Sequence, residues 1–332
     1  MTHGLQNPCI ANAPKQLARL NALLDYTRRN NSFYRNKWEQ AGVGAGRLDS
    51  IAGLQDYPFT TRAELVADQA ARPPLGANLS CPLKDFRWFL HSSGTTDTPV
   101  LWADTPRTWD WVAHCSAELH ALTGITQQDV VLFLANLGTT SGPSVIREGV
   151  RRIGCTCLTC NSHDVTEACR WLSLMRPNVL IGKPGPLLMF ALALCSRGSI
   201  PAIAGIERLI LTGEGSSIDS PRRRELERYW EAPCFDRYGM TEAGSVAAEC
   251  VAHDGTLHIL DEEFIAEVVY CSSNESLDDG DVGELVLTNL GRIDRPIVRY
   301  RTGDRVRLLR DYRCGCGRTG MALSRGILGR MR

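Results

Sequence analysis

The chain has 332 residues, 43% of them hydrophobic and 22% charged, a composition that supports a buried core and argues against disorder. Its 37 Lys and Arg balance 37 Asp and Glu, so no overall field favours a nucleic acid or an anionic membrane as partner. At this length the expectation is one large domain with small appendages.

The first stretch contains Asn7, Pro8 and Pro14 and has no basic segment leading into a long apolar core, so no secretory signal is expected. No apolar run reaches bilayer length. A cytoplasmic location follows as the expectation, and the 13 cysteines then read as reduced thiols with a metal-binding subset. Leu17, Leu20, Leu23, Leu24 and Tyr34 recur at helical spacing between Arg19, Arg28, Arg29 and Lys37, which predicts an amphipathic helical segment from Pro14 to about Ala41.

Beyond residue 129, short apolar runs at 130–134, 155–159, 179–181 and 209–211 alternate with helical stretches at 144–153, from 165, at 186–195 and at 221–230. This alternation predicts a mostly parallel sheet covered by helices. Cys155, Cys157 and Cys160 read as small buried hydrophobes. Arg222, Arg223 and Arg224, followed by Glu225 and Glu227, read as a solvated helix face. After Gly244 short strands take over, at 264–269, 283–287 and 306–309, separated by Asp-Gly and Asn-rich turns.

Three short motifs carry chemistry. Ser92-Ser93-Gly94-Thr95-Thr96 follows the apolar stretch 86–90. Small residues there let the backbone approach a phosphate, and hydroxyl and N–H groups can donate to its oxygens, although such a cluster is as often a surface turn. Tyr238-Gly239-Met240-Thr241-Glu242 follows the strand-like 233–236. It offers a ring, a glycine that admits a ligand, a hydroxyl and a carboxylate at a strand end, where open α/β sheets bind ligands. Tyr300-Arg301-Thr302-Gly303-Asp304 offers a carboxylate for two ribose hydroxyls on what reads as a strand ending in a turn.

In this order and at these separations the motifs resemble the signatures of adenylate-forming enzymes, the superfamily of acyl-CoA synthetases, adenylation domains and luciferases. Ser32-Phe33-Tyr34-Arg35, Pro58-Phe59-Thr60-Thr61, His258-Ile259-Leu260 with Glu267, and Cys314-Gly315-Cys316-Gly317-Arg318 look like the phenylacetate-CoA ligase branch. The resemblance implies an α/β fold: a large N-terminal adenylation-enzyme body with helix-covered sheets and a smaller β-rich subdomain. The implied organisation is a helical segment (1–80), a nucleotide-binding core (81–245) and the β-rich part (246–332). The implied activity is ATP-dependent conversion of a carboxylic acid to an acyl-adenylate, for transfer to CoA, a carrier protein or an amine. Ser92, Ser93, Gly94, Thr95 and Thr96 would wrap the ATP phosphates, Gly213 and Glu214 would flank the adenine, and Tyr238 would pack on it beside Gly239 and Met240. Thr241 would contact the α-phosphate, Glu242 would support Mg²⁺, and Asp304 would hold the ribose.

Two departures bear on activity. The phosphate loop continues Asp97-Thr98-Pro99-Val100 where relatives usually show a glycine and a lysine, which leaves either slow turnover or a charge supplied from elsewhere. Gly326-Ile327-Leu328-Gly329-Arg330 resembles the stretch before the family's hinge, and the sequence ends soon after it. The resemblance therefore implies either a partner protein supplying the mobile C-terminal domain and its lysine, or the competing reading of a degenerate, non-catalytic nucleotide- or adenylate-binding scaffold. Where aryl-activating relatives tend to be aromatic, residues 135–142 are polar. Asn136, Gly138 and Thr139 are the expected acid-binding residues, suited to a small or hydroxylated acid or an amino acid as well as to phenylacetate, with a plain polar loop an equal reading.

With the resemblance in place, Cys314 and Cys316 offer two thiolates to a structural Zn²⁺, which favours four tetrahedral sulfur and nitrogen ligands. Cys250 with His253 or His258 would complete the set, and the match of His258-Ile259-Leu260 to the family favours His258. The ion is expected to pin the last loop to the β-rich subdomain and to support Asp304 from behind.

Overall fold

Asn31 divides the N-terminal helical segment in two. In the computed structural model, which describes residues 13–92, 98–136, 141–213, 218, 220–270 and 275–331, α1 (Ala13–Asn30) and α2 (Ser32–Gln40) meet at this residue. Asn31 is extended, at φ −116 and ψ 107, and its side chain accepts from the Tyr34 N–H, the preference of a short polar side chain for an N-cap over a helix interior. The helices then bury Leu20, Leu23, Leu24, Tyr34 and Trp38 in one cluster with Ile265 and Val298. Helix α3 (Arg62–Ala71) starts on a capping box made by Thr61 and Glu64.

Strands β1 (Trp88–His91) and β2 (Leu101–Asp104) form a two-stranded antiparallel ribbon, and α4 (Pro106–Leu122) follows, capped by Thr105 and Thr108 with Pro106 in its first turn. The chain then alternates: β3 (Val130–Leu134), α5 (Ser141–Ile153), β4 (Thr156–Cys160), α6 (Val165–Met175), β5 (Val179–Gly182), α7 (Pro184–Ser196), β6 (Arg208–Leu211), α8 (Pro221–Trp230) and β7 (Cys234–Met240). These strands pair in parallel in the order β4-β3-β5-β6-β7. Both faces are covered, so the central strands β3 and β5 are apolar throughout. Leu132, Leu134, Leu180, Leu209 and Leu211 enter one core cluster, while Val131, Phe133, Val179, Ile181 and Ile210 enter another.

From β8 (Gly244–Ala248) onward the pairing is antiparallel, through β9 (Thr256–Ile259), β10 (Phe264–Val269), β11 (Val282–Asn289), β12 (Tyr300–Arg313) and β13 (Thr319–Arg330). All belong to one 11-stranded sheet ordered β10-β11-β12-β13-β9-β8-β7-β6-β5-β3-β4. β7 is the pivot, parallel to β6 and antiparallel to β8. The expected boundary at 245/246 therefore falls inside β8. Among the described residues no helix is long and apolar enough to cross a membrane.

Buried ion pairs bind these parts together. Arg299 donates to Glu267 at 2.8 Å and to the carbonyls of Gln55 and Tyr57, each at 2.7 Å. Arg223 corrects the expectation of a solvated face: Arg222 and Arg224 are exposed, but Arg223 is buried, donating to Glu249 at 2.7 Å. At Cys155, Cys157 and Cys160 burial raises the thiol pKa, as expected of inert core cysteines.

Candidate functional site

The C-terminal ends of the parallel strands all face one edge, where such sheets bind ligands. At that edge Tyr238, on β7, is buried, and its hydroxyl donates to Asp304 Oδ2 at 2.8 Å. Asp304 is on β12, and its Oδ1 lies 3.2 Å from Arg330 Nε on β13. Burial raises both pKa values, the Asp304 carboxyl above the usual carboxylate range and the Tyr238 phenol well above its ordinary value.

Thr241 and Glu242 form the turn from β7 into β8. Both are buried. Arg292 fixes the turn from below, donating to the Thr241 carbonyl at 2.6 Å and to Asp104 Oδ1 at 2.8 Å. Glu242 Oε1 takes the Tyr300 hydroxyl at 3.4 Å and Arg62 Nη1 at 3.2 Å. Arg62 also donates to Ser92 Oγ at 3.3 Å and to the Thr98 carbonyl at 3.0 Å. Ser92 closes the stem below residues 93–97, its N–H donating to the Val100 carbonyl and its hydroxyl accepting from the Val100 N–H, each at 3.0 Å.

Three local expectations change. The Tyr238 to Glu242 motif does not begin where a strand ends, because β7 continues to Met240. Gly239 is required by the chain itself: a Cβ there would lie 2.5 Å from the Gly244 carbonyl oxygen and 3.2 Å from Ser245 Cα, so the close approach of β8 explains it where ligand entry was expected. The Tyr300 to Asp304 motif opens a strand of 14 residues rather than ending one. Gly213 follows β6 at φ 74, a left-handed conformation that favours glycine, and a Cβ there would meet Lys183 Cε at 3.4 Å. Asn136 is exposed and its Oδ1 accepts from Ser162 Oγ at 3.1 Å.

A second cluster gathers Cys250, His258, Cys314 and Cys316, whose ligand atoms all lie within 4.8 Å of one another. Cys250 Sγ is 3.5 Å from Cys314 Sγ, and Cys316 Sγ is 3.7 Å from His258 Nε2. Burial lowers the His258 pKa, favouring the neutral imidazole that coordinates metals. His253 points elsewhere, 3.3 Å from Arg223 Nη2 and 3.6 Å from Glu227. Asp254, which the sequence reading did not single out, lies against the cluster, 3.7 Å from Cys314 Sγ and bonded to Tyr312. The cluster does not stand behind Asp304. Nine residues of β12, 305–313, lie between Asp304 and Cys314, so the two are roughly 30 Å apart along extended chain at ~3.3 Å per residue.

No protein-family model matches the chain. The phenylacetate-coenzyme A ligase of Pseudomonas putida is 27% identical over 296 residues, 89% of this chain and 66% of its own length. That of Thermus thermophilus is 27% identical over 317 residues, 95% of this chain and 69% of its own. The chain thus spans about two thirds of the length of these curated relatives. A solved structure of 2-hydroxyisobutyryl-CoA ligase, in complex with 2-HIB-AMP and CoA in the thioesterification state, superposes with a TM-score of 0.91 at 24% identity, covering 98% of this chain and 69% of that one. The chain is thus similar in sequence to these phenylacetate-coenzyme A ligases and shares the fold of that 2-hydroxyisobutyryl-CoA ligase.

The fold brings Ser92, Gly213, Tyr238, Gly239, Met240, Thr241, Glu242 and Asp304 to the sheet edge or its adjoining ribbon. Ser93, Gly94, Thr95, Thr96, Glu214, Gly138 and Thr139 lie outside the described residues. Sequence reasoning missed Arg62 and Arg292. Arg62 directly follows Pro58-Phe59-Thr60-Thr61, so its neighbourhood was visible though its reach toward Glu242 was not.

Proposed function

We propose that this chain activates a carboxylic acid with ATP, giving an acyl-adenylate and pyrophosphate. The observation that carries the reading is the single contact network, spanning four distant segments, that runs from Thr98 through Arg62, Glu242 and Tyr300 while Tyr238 and Asp304 pair beside it. In the reaction an oxygen of the acid attacks the α-phosphorus, and the bond to the bridging oxygen of the leaving pyrophosphate breaks. Two anions meet in that step, so fixed positive charge and donors are needed where negative charge grows. Asp304 would hold the ribose hydroxyls and Tyr238 the adenine face, with Gly213 beside it. Thr241 would donate to the α-phosphate. Arg62, anchored on both stems of the phosphate loop, would supply the cation that Asp97-Thr98-Pro99 omits. Glu242 offers a buried carboxylate oxygen, the donor type Mg²⁺ takes, and the metal would neutralise phosphate charge.

The relatives' names and the acyl-AMP and CoA in the superposing structure support CoA as acceptor. A lysine supplied from outside the matched region, by a partner protein or otherwise, and a cytoplasmic location, favoured by free thiols at all described cysteines, complete the reading. Cys250, His258, Cys314 and Cys316 would hold a structural Zn²⁺, since two pairs of soft donors converge from separate hairpins in a closed site. Elemental analysis should find about one zinc per chain, lost in Cys314→Ser together with several degrees of Tm.

The test of activity is ATP–pyrophosphate exchange over a panel of aryl, aliphatic, hydroxylated and amino acids. Acid-dependent exchange is expected. Nucleotide binding without exchange for any acid would instead support the non-catalytic scaffold.

A further inference from the structure

β4 is the last strand of the sheet, paired with β3 alone. The Thr156 N–H reaches the Asp129 carbonyl at 3.2 Å and the Cys160 carbonyl takes the Ala135 N–H at 3.0 Å, so residues 156, 158 and 160 turn their polar groups toward β3. Backbone groups alternate in direction along a strand, and the N–H groups of Cys157 and Thr159 therefore face the free edge. The side chains of Cys155, Cys157 and Thr159, each two residues apart, share one face of the strand. They line a cavity of about 450 Å³ whose other walls are Gly154 and, from α5, Arg147 and Arg151.

The two guanidiniums enter this cavity one helical turn apart, a spacing at which like charges repel. Arg147 Nε is buried without a hydrogen-bond partner, and neither Arg147 nor Arg151 has an ion pair among the described residues, whereas Arg152 beside them pairs with Asp110. Positive charge is favoured in the last turn of a helix, which accounts for Arg151 and Arg152 but not for Arg147, a turn earlier. An arginine without a carboxylate is not by itself a site: Arg237 donates to the Ser116 and Ser245 hydroxyls, each at 3.2 Å, and Arg295 donates to the Leu75 carbonyl at 2.9 Å and lies 4.5 Å from the Trp102 ring. Arg147 and Arg151 differ in the open volume they border. No carboxylate lines it. Burial raises the Cys157 thiol pKa although both guanidiniums pull it down, and Cys155, pushed up to about 11, donates to the Val150 carbonyl at 3.4 Å, so both thiols stay uncharged. Asp129, whose charge reaches Cys155, is occupied by Asn178 at 2.7 Å and Arg208 at 3.6 Å. Asp110 and Glu148 line a separate hollow beside α4, which Arg151 also borders.

We propose that this cavity binds a small molecule carrying a phosphate ester or diphosphate, at a site separate from the nucleotide edge. Forked guanidinium donors match phosphate oxygens in pairs, and two of them a turn apart suit a dianion better than a single carboxylate. The Thr159 hydroxyl and the outward N–H groups of Cys157 and Thr159 add neutral donors. Gly154, at φ 92, has no atom within 4 Å of the place a Cβ would take, which leaves that wall open. A volume of about 450 Å³ is more than a lone phosphate fills and lies in the range of small-molecule pockets. β4 is four strands from β7, roughly 19 Å at ~4.8 Å per strand, so the ligand shares none of the groups around Tyr238 and Glu242.

The experiment titrates the 332-residue chain with pyrophosphate and with glucose 6-phosphate in a calorimeter, at low salt and without Mg²⁺, and the tighter of the two probes tells diphosphate from ester. Arg147→Met and Arg151→Met should each weaken binding by about ten- to a hundredfold, the worth of hydrogen bonds to a charged group, while Arg62→Met, at the phosphate loop, should leave it unchanged. A second readout is local to the cavity: alkylation of Cys157 by iodoacetamide, followed by mass spectrometry, should slow when the probe is added to the parent and not when it is added to Arg151→Met. Arg151 is exposed, so that variant keeps its fold even if Arg147→Met does not. No binding of either probe, binding that depends on Arg62 and is indifferent to Arg151, or alkylation of Cys157 at the same rate with and without the probe overturns the proposal.

Discussion

The two ends of β12 rest on different physics. At its start Asp304 sits among charges and hydroxyls contributed by distant segments: Tyr238 on β7, Arg330 on β13 and, beyond them, Glu242 with Arg62. At its far end Cys314 leads into a tight group of soft donors from two hairpins. The first arrangement exists only when the whole sheet is assembled, and it places groups where a nucleotide's charge would be met. The second is local, its four ligand atoms all within 4.8 Å of one another. Function and metal-dependent stability should therefore be separable along one strand.

The largest expected effect is at the thiolate end. Glu249 precedes Cys250 and is fully buried against Arg223, so Arg223→Ala leaves a buried carboxylate without its cation, a change that typically costs ~3–5 kcal/mol. Urea unfolding should register that loss while ATP affinity of the folded protein stays the same. A loss below ~1 kcal/mol would place the pair among weak surface bridges. At the nucleotide end the expected effect is smaller and opposite in kind. Asp304→Ala should weaken ATP binding by ~1.5–3 kcal/mol, the worth of hydrogen bonds to a charged group, with little change in Tm. Calorimetry showing parent-like ATP affinity would remove Asp304 from the ribose.

How legible these ends were differs for physical reasons. The parallel strands were readable because burial on both faces makes them continuous apolar runs, as in 130–134 and 179–181. β12 was read in two pieces, a strand ending in a turn at 300–304 and a short strand at 306–309, because its outer positions carry Arg305, Arg307 and Arg310 and its register with β13 shifts three times. Helix α4 went unread, although Thr105 and Pro106 form a recognisable start. Asn31, inside an otherwise helical period, was the unread sign of a cap. Arg223 looked solvated because a charge run does not reveal a carboxylate 26 residues away. Arg62 and Arg292 were invisible for the same reason: their partners, Glu242 and Asp104, lie 180 and 188 residues away. The Cys314 and Cys316 pair was visible in its Gly-rich turn, but taking it as a ligand pair, and choosing His258 over His253, both needed the family resemblance.

The most direct test of the account measures acid-dependent pyrophosphate exchange and zinc content side by side in the parent, Glu242→Gln and Cys314→Ser. The account predicts that Glu242→Gln keeps its zinc and its ATP affinity but loses ~10²–10³ in exchange, the usual effect of removing one preorganised electrostatic group, while Cys314→Ser loses zinc and stability yet still exchanges below its melting temperature. Undiminished exchange in Glu242→Gln, or no acid-dependent exchange in a parent that binds ATP, would contradict it.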